Sequence, residues 1–182
     1  PLSGSTAIPG LIDAHVHLCF DPAIGPPEEQ DAVPEPERMR AMEARAEAML
    51  KSGITTARDL GGGKGFELEL RDRIARGECA GPRLLCAGQP VTTPGGHCHF
   101  WGGEAQGPEE IRAVIRRQIE RQVDWIKVMA TGGVMTRGTK PLAPQFDVSE
   151  IACVVEEAAR HGKTDMNGGI RTSGRRNRTR NK

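Results

Sequence analysis

Two histidines one residue apart, His15 and His17, are the side chains in this sequence best suited to chemistry. They stand in the apolar run Gly10-Leu-Ile-Asp-Ala-His-Val-His-Leu18. On an extended strand, side chains two positions apart share a face, so both imidazoles project together and can reach one cation. Neutral imidazole is a common ligand for zinc. The spacing alone is not specific, because His-x-His also occurs as two polar residues where a strand meets a loop.

Lys127 is the second candidate. It interrupts the apolar segment Trp125-Ile-Lys-Val-Met-Ala130, and burying an ammonium group is costly unless it is compensated. It can snorkel to the strand end or pair with a carboxylate. A third group is the glycine-rich stretch Thr93-Pro-Gly-Gly-His-Cys-His-Phe-Trp-Gly-Gly103, which carries His97 and His99. Glycine lets backbone approach a ligand closely. His-Cys-His lacks a fourth ligand at a zinc-cluster spacing, so it is not expected to bind metal by itself. Asp59 could act at the site, but a structural pairing with Arg58 or Arg83 is the expected role, and neither residue of the Arg58-Asp59 pair is assigned to catalysis.

These residues need elements to position them, and the sequence supplies a regular alternation. Residues 10–18 read as a buried strand, followed by an irregular loop with prolines at 22, 26, 27, 34 and 36. Residues 37–51 are helical, with Met39, Met42, Ala46, Met49 and Leu50 on one stripe. Residues 54–60 form a strand and 66–76 a helix. Residues 82–88 form a third strand. Pro108 then opens a helix whose apolar face is Ile111, Val114, Ile115 and Ile119. Residues 125–130 form a fourth strand, and Asp147 with Glu150 makes a capping-box start for a fourth helix. Strand–helix repetition implies parallel strands covered by helices. A (β/α) barrel and an open doubly wound sheet both satisfy it, but no glycine-rich nucleotide-binding sequence follows any strand.

Bulk properties narrow the class further. The chain carries a net charge of +1, and its hydrophobic fraction is 37%. No stretch approaches the roughly 18 consecutive apolar residues of a membrane span. The five cysteines are scattered and odd in number, which argues against a disulfide framework and fits a reducing, cytoplasmic setting. Residues 164–182 hold six basic side chains and a single acid, Asp165, with few apolar residues. A basic, irregular tail is expected there, after a first domain spanning 1–163. Its charge could contact phosphate weakly, but without an aromatic platform nucleic acid is not an expected partner.

Residues 9–18, Pro-Gly-Leu-Ile-Asp-Ala-His-Val-His-Leu, resemble the first-strand signature of the amidohydrolase superfamily. The segment Ile126-Lys-Val-Met-Ala-Thr-Gly-Gly-Val134 resembles its fourth-strand segment, and Thr55-Thr-Ala-Arg-Asp-Leu-Gly-Gly62 its second. The resemblance covers about residues 7–163. It is strongest to the imidazolonepropionase-like and Xaa-Pro dipeptidase-like branch. It implies part of a (β/α)8 TIM barrel, about the first four βα units. It also implies His15 and His17 as metal ligands, and Lys127 as a carboxylated lysine bridging two metals. His97 matches a loop histidine that contacts substrate.

The implied activity is hydrolysis of a C–N bond in a small amide, dipeptide or cyclic amide, with divalent metal, zinc being expected and two ions in the complete enzyme. The family pattern continues with a histidine on strand five, another on strand six and a general-base aspartate on strand eight. None of these positions is found in this sequence, so no catalytic base is assigned. The expectation is an N-terminal fragment, inactive alone, with a frameshifted or artefactual tail. The alternative is a non-catalytic half-barrel that binds metal or self-associates, as a homo-oligomer.

Overall fold

The computed structural model describes residues 3–21, 23–25 and 29–167. Strand β1 (Leu11–Val16) leads through a loop and a short 3-10 turn to helix α1 (Glu35–Lys51). Then follow β2 (Ile54–Asp59), α2 (Phe66–Ala75), β3 (Arg83–Cys86), α3 (Gly107–Glu120), β4 (Trp125–Val128), α4 (Val148–Arg160) and β5 (Thr164–Asn167). A second 3-10 turn, His99–Trp101, lies in the long loop between β3 and α3. No helix among the described residues is long and apolar enough to cross a membrane.

All strand pairs are parallel, in the order β1-β2-β3 and β4-β5. Beyond the end of β3, Val91 bridges Val128 in parallel. The Val91 N–H donates to the Lys127 carbonyl, and the Met129 N–H donates to the Val91 carbonyl, both at 2.8 Å. These bonds place β4 beside β3, so the strands run in chain order with helices between them. That is the architecture of the first βα units of a barrel. An irregular tail was expected from Thr164, but Thr164–Asn167 continues as β5 in register with Trp125–Val128. Those four residues follow α4 and pair in parallel with β4 through backbone hydrogen bonds, which any residue but proline can make. The rest of the expected tail, 168–182, falls outside the described residues.

The helices form where the apolar stripes put them. Met39, Met42 and Ala46 of α1, Leu68 and Leu70 of α2, Ile111, Val114 and Ile115 of α3, and Val154 and Ala158 of α4 are all buried. They join Ala57, Leu84, Ile126 and Val128 of the strands in one core. Each fully buried Ile or Leu contributes roughly 1.5–3 kcal/mol. Leu50, expected on the α1 stripe, is instead exposed. The capping box of α4 is present: Asp147 Oδ1 accepts the Glu150 N–H at 2.8 Å, and Glu150 Oε2 accepts the Asp147 N–H at 3.0 Å. Glu150 Oε1 also accepts the Gly107 N–H at 2.9 Å, which locks the start of α3 to the start of α4. The outcome for the site is a rigid scaffold whose strand C-terminal ends open on the same side.

Candidate metal and substrate site

His15 lies near the end of β1 and His17 immediately after it, and the register of β1 on β2 is irregular between Asp13 and Val16. Such an irregularity re-aims side chains near a site. The two imidazoles lie with ring centroids 5.3 Å apart and planes at 64°. His17 Nδ1 lies 2.8 Å from the Gly61 carbonyl oxygen. A carbonyl only accepts, so Nδ1 carries the proton and Nε2 is left with its lone pair. Trp101 packs against the His17 ring, with centroids 5.2 Å apart and planes tilted by 37°. Burial, with help from the Lys127 charge, holds the His17 imidazolium down at about 4. His15 is lowered in the same way, so both rings are neutral near pH 7.

Lys127 projects from β4 and is 1% exposed, the largest fully buried side chain in the described structure. Among the described residues no carboxylate pairs with it. Burial brings its ammonium down to about 8, and Arg58 acts in the same direction. At about 8 the group is still mostly ammonium near pH 7, but its neutral, nucleophilic fraction is far larger than that of an ordinary lysine.

His15, His17, His97 and Lys127 line one cleft of about 230 Å3, with Met129, Met135 and residues 132–134 completing its wall. His97 is fixed by several bonds. Its Nδ1 lies 3.1 Å from Thr136 Oγ1, and its backbone N–H donates to Gln145 Oε1. Gln145 Nε2 in turn donates to the Met129 carbonyl at 2.7 Å and to Thr92 Oγ1 at 3.1 Å. Gly133 is packed against the ring: a Cβ there would lie 2.3 Å from His97 Nε2. The loops after β3 and β4 thus buckle together and present His97 to the cleft. His99 does not line it.

A cleft of about 380 Å3 between α1 and α2 is lined by charged groups, including Glu43 and Arg73. Those two pair at 2.6 Å, and the cleft holds none of the histidines.

Asp59 is fully buried, but it does not pair with Arg58 or Arg83. Oδ2 accepts the Leu18 N–H and Oδ1 the Gly61 N–H, each at 2.9 Å. Arg58 donates Nε to the Ala14 carbonyl at 2.8 Å and lies over the Trp125 ring. Glu67 is equally buried, and among the described residues neither of its carboxylate oxygens has a hydrogen-bond partner. Burial pushes both acids up, Glu67 further because Asp59 is near. Sequence reasoning assigned Asp59 the wrong partners, and the roles of Gly61, Trp101, Thr136 and Gln145 were not assigned from it.

The chemistry of the donors fits a divalent metal on the His15/His17 side. Both rings are neutral, and the second is oriented by a backbone carbonyl, as metal-ligating histidines usually are. Among the described residues no three His, Cys, Asp or Glu side chains cluster as a metal site.

Three comparisons bear on what this architecture is. Residues 6–166 match the amidohydrolase family. Ochratoxinase from Aspergillus niger is 32% identical over 183 aligned positions, which cover 86% of this chain and 37% of that protein. Its crystal structure superposes with a TM-score of 0.75 at 30% identity, covering 42% of that chain. A Xaa-Pro dipeptidase crystallised with methionine in its active site superposes with a TM-score of 0.76 at 32% identity, covering 86% of this chain and 42% of the dipeptidase. A prolidase complexed with N-methylphosphonate-L-proline gives 0.76 at 27% identity, covering 87% of this chain and 42% of the prolidase. The chain spans about two-fifths of the length of these relatives. Its strands and helices are the corresponding part of their TIM barrel, and the chain belongs to the amidohydrolase family.

Proposed function

We propose that these residues form the first part of a metal-dependent hydrolase acting on the C–N bond of a small amide or dipeptide. The observation that carries the reading is the Nδ1–H of His17 held on the Gly61 carbonyl at 2.8 Å, which leaves Nε2 with its lone pair on a ring that lines one cleft with His15 and Lys127. His15 and His17 would hold a divalent metal through neutral ring nitrogens, and zinc is the expected ion. When bound, such an ion supplies Lewis acidity and a hydroxide nucleophile at neutral pH.

Lys127 is proposed to react with carbon dioxide. Its neutral amine forms an N–C bond to the carbon, loses a proton to solvent, and becomes an anionic carbamate. That exchange replaces a costly buried cation with oxygen ligands. His97 would contact substrate from the loop wall, and Met129 and Met135 give that wall an apolar character. The names of the relatives, an ochratoxinase, a Xaa-Pro dipeptidase and a prolidase, support an amide or dipeptide substrate class.

The proposed activity requires the further ligands that the family resemblance places on later strands. The test is metal content and hydrolysis of a panel of dipeptides and N-acyl amino acids. It is run on this chain beside a version continued to the length of the relatives. Turnover and about two metals in the longer protein, abolished by His17→Ala, support the proposal. Turnover that survives His17→Ala with metal stripped by chelator overturns it.

A further inference from the structure

The buried Asp59 stands one step behind the metal-site histidines. Its two oxygens take separate backbone donors: Leu18 N–H, immediately after His17, and Gly61 N–H, each at 2.9 Å. Gly61 in turn presents its carbonyl to His17 Nδ1 at 2.8 Å. Both ends of the His17–Gly61 bond are therefore fixed by one carboxylate. A second constraint keeps Gly61 in place: it adopts φ +101°, and a Cβ there would lie 1.9 Å from the Gly88 carbonyl oxygen. The neighbouring Gly62 N–H donates to that same carbonyl at 3.1 Å.

Building on the metal-ligand reading, we propose that Asp59 is a positioning residue for His17, fixing the imidazole tautomer and aim through the backbone of Leu18 and Gly61. Asp59 touches neither metal nor substrate. A carboxylate suits the task because both of its oxygens only accept, whereas an amide offers one acceptor and one donor group. In Asp59→Asn the new NH2 must face either the Leu18 or the Gly61 N–H, and one half of the clamp is lost. Outer partners of ligating histidines typically change metal affinity 10- to 100-fold when removed.

The test uses the full chain labelled with 15N, without metal, and reads the long-range proton–nitrogen spectrum of the histidine rings. Wild type should show His17 as the Nδ1–H tautomer. Asp59→Asn should convert it to a mixture, while the signals of His97, held by Thr136 and Gln145, stay in place. Zinc titration of the same two proteins should then show affinity falling 10- to 100-fold in the variant. A folded Asp59→Asn protein with His17 still Nδ1–H and unchanged zinc affinity overturns the proposal. So does a wild-type spectrum with the proton on Nε2, a result that needs no variant to fold. A tautomer that shifts in Asp59→Asn while wild type takes up no zinc upholds the positioning role and overturns the metal reading.

Discussion

His17 and Gly61 are 44 residues apart in sequence, yet the ring of one and the carbonyl of the other are joined at 2.8 Å. That bond ties the end of β1 to the loop after β2 and decides which ring nitrogen faces the cleft. A histidine left free would divide its proton between two nitrogens and offer a ligand atom only part of the time.

Gly61 should tolerate no side chain. Its positive φ costs an L-residue about 1–2 kcal/mol, and a Cβ set against the Gly88 carbonyl adds overpacking strain of about 1–3 kcal/mol. Gly61→Ala is expected to lower stability by about 2–5 kcal/mol, read by denaturant titration with the slope unchanged. A change below about 0.5 kcal/mol would show that the loop relaxes freely.

Lys127 should make the metal-free protein less stable than its size allows. Its folded value of about 8 is below the ordinary 10.5, so the unfolded chain binds more protons between those two pH values. Stability contributed by this site therefore rises with pH from about 8 to 10.5, and the full penalty, about 3 kcal/mol, applies below 8. Lys127→Met, without metal and carbon dioxide, is expected to be more stable than wild type at pH 7, with the advantage shrinking by pH 10.5. An advantage that is constant with pH would mean the amine is not desolvated as the fold implies. With 13C-labelled bicarbonate, wild type should also show a carbamate carbon signal that Lys127→Met lacks.

Gly133 should control the position of His97 without touching the metal-site histidines. A Cβ at 133 would overlap the imidazole, at 2.3 Å from Cε1 and Nε2. Gly133→Ala is expected to move the His97 ring resonances by more than those of His15 and His17. In a form of the protein that turns over substrate, it is expected to raise KM by about tenfold, the effect of losing about 1.4 kcal/mol of ground-state binding. Equal movement of all three histidines would place the disturbance in the fold and not in the loop.

Much of this arrangement was legible in the residues. The period of the apolar stripes put α1 to α4 within two residues of their observed starts, and the pair Asp147/Glu150 announced its capping box. His15 and His17 came together because a strand repeats every two residues, and Lys127 drew attention because an amine in an apolar strand must be explained. Asp59 was misread because acids are expected to seek nearby arginines. A carboxylate buried under two loops is better served by backbone N–H groups, and the sequence does not say which loops will meet it. Thr136 and Gln145 were invisible for the same reason, since each acts on His97 across more than 35 residues of chain. β5 was missed because its pairing owes little to apolar content.

The central claim, that His15 and His17 together hold a divalent metal, is tested most directly by calorimetric zinc titration of the purified chain and of His15→Ala, His17→Ala and His99→Ala. The account predicts one zinc bound by wild type, at least tenfold weaker binding in each of the first two variants, and no change in the third, whose ring does not line the cleft. Equal affinity in all four proteins, or no binding by any of them, would contradict it.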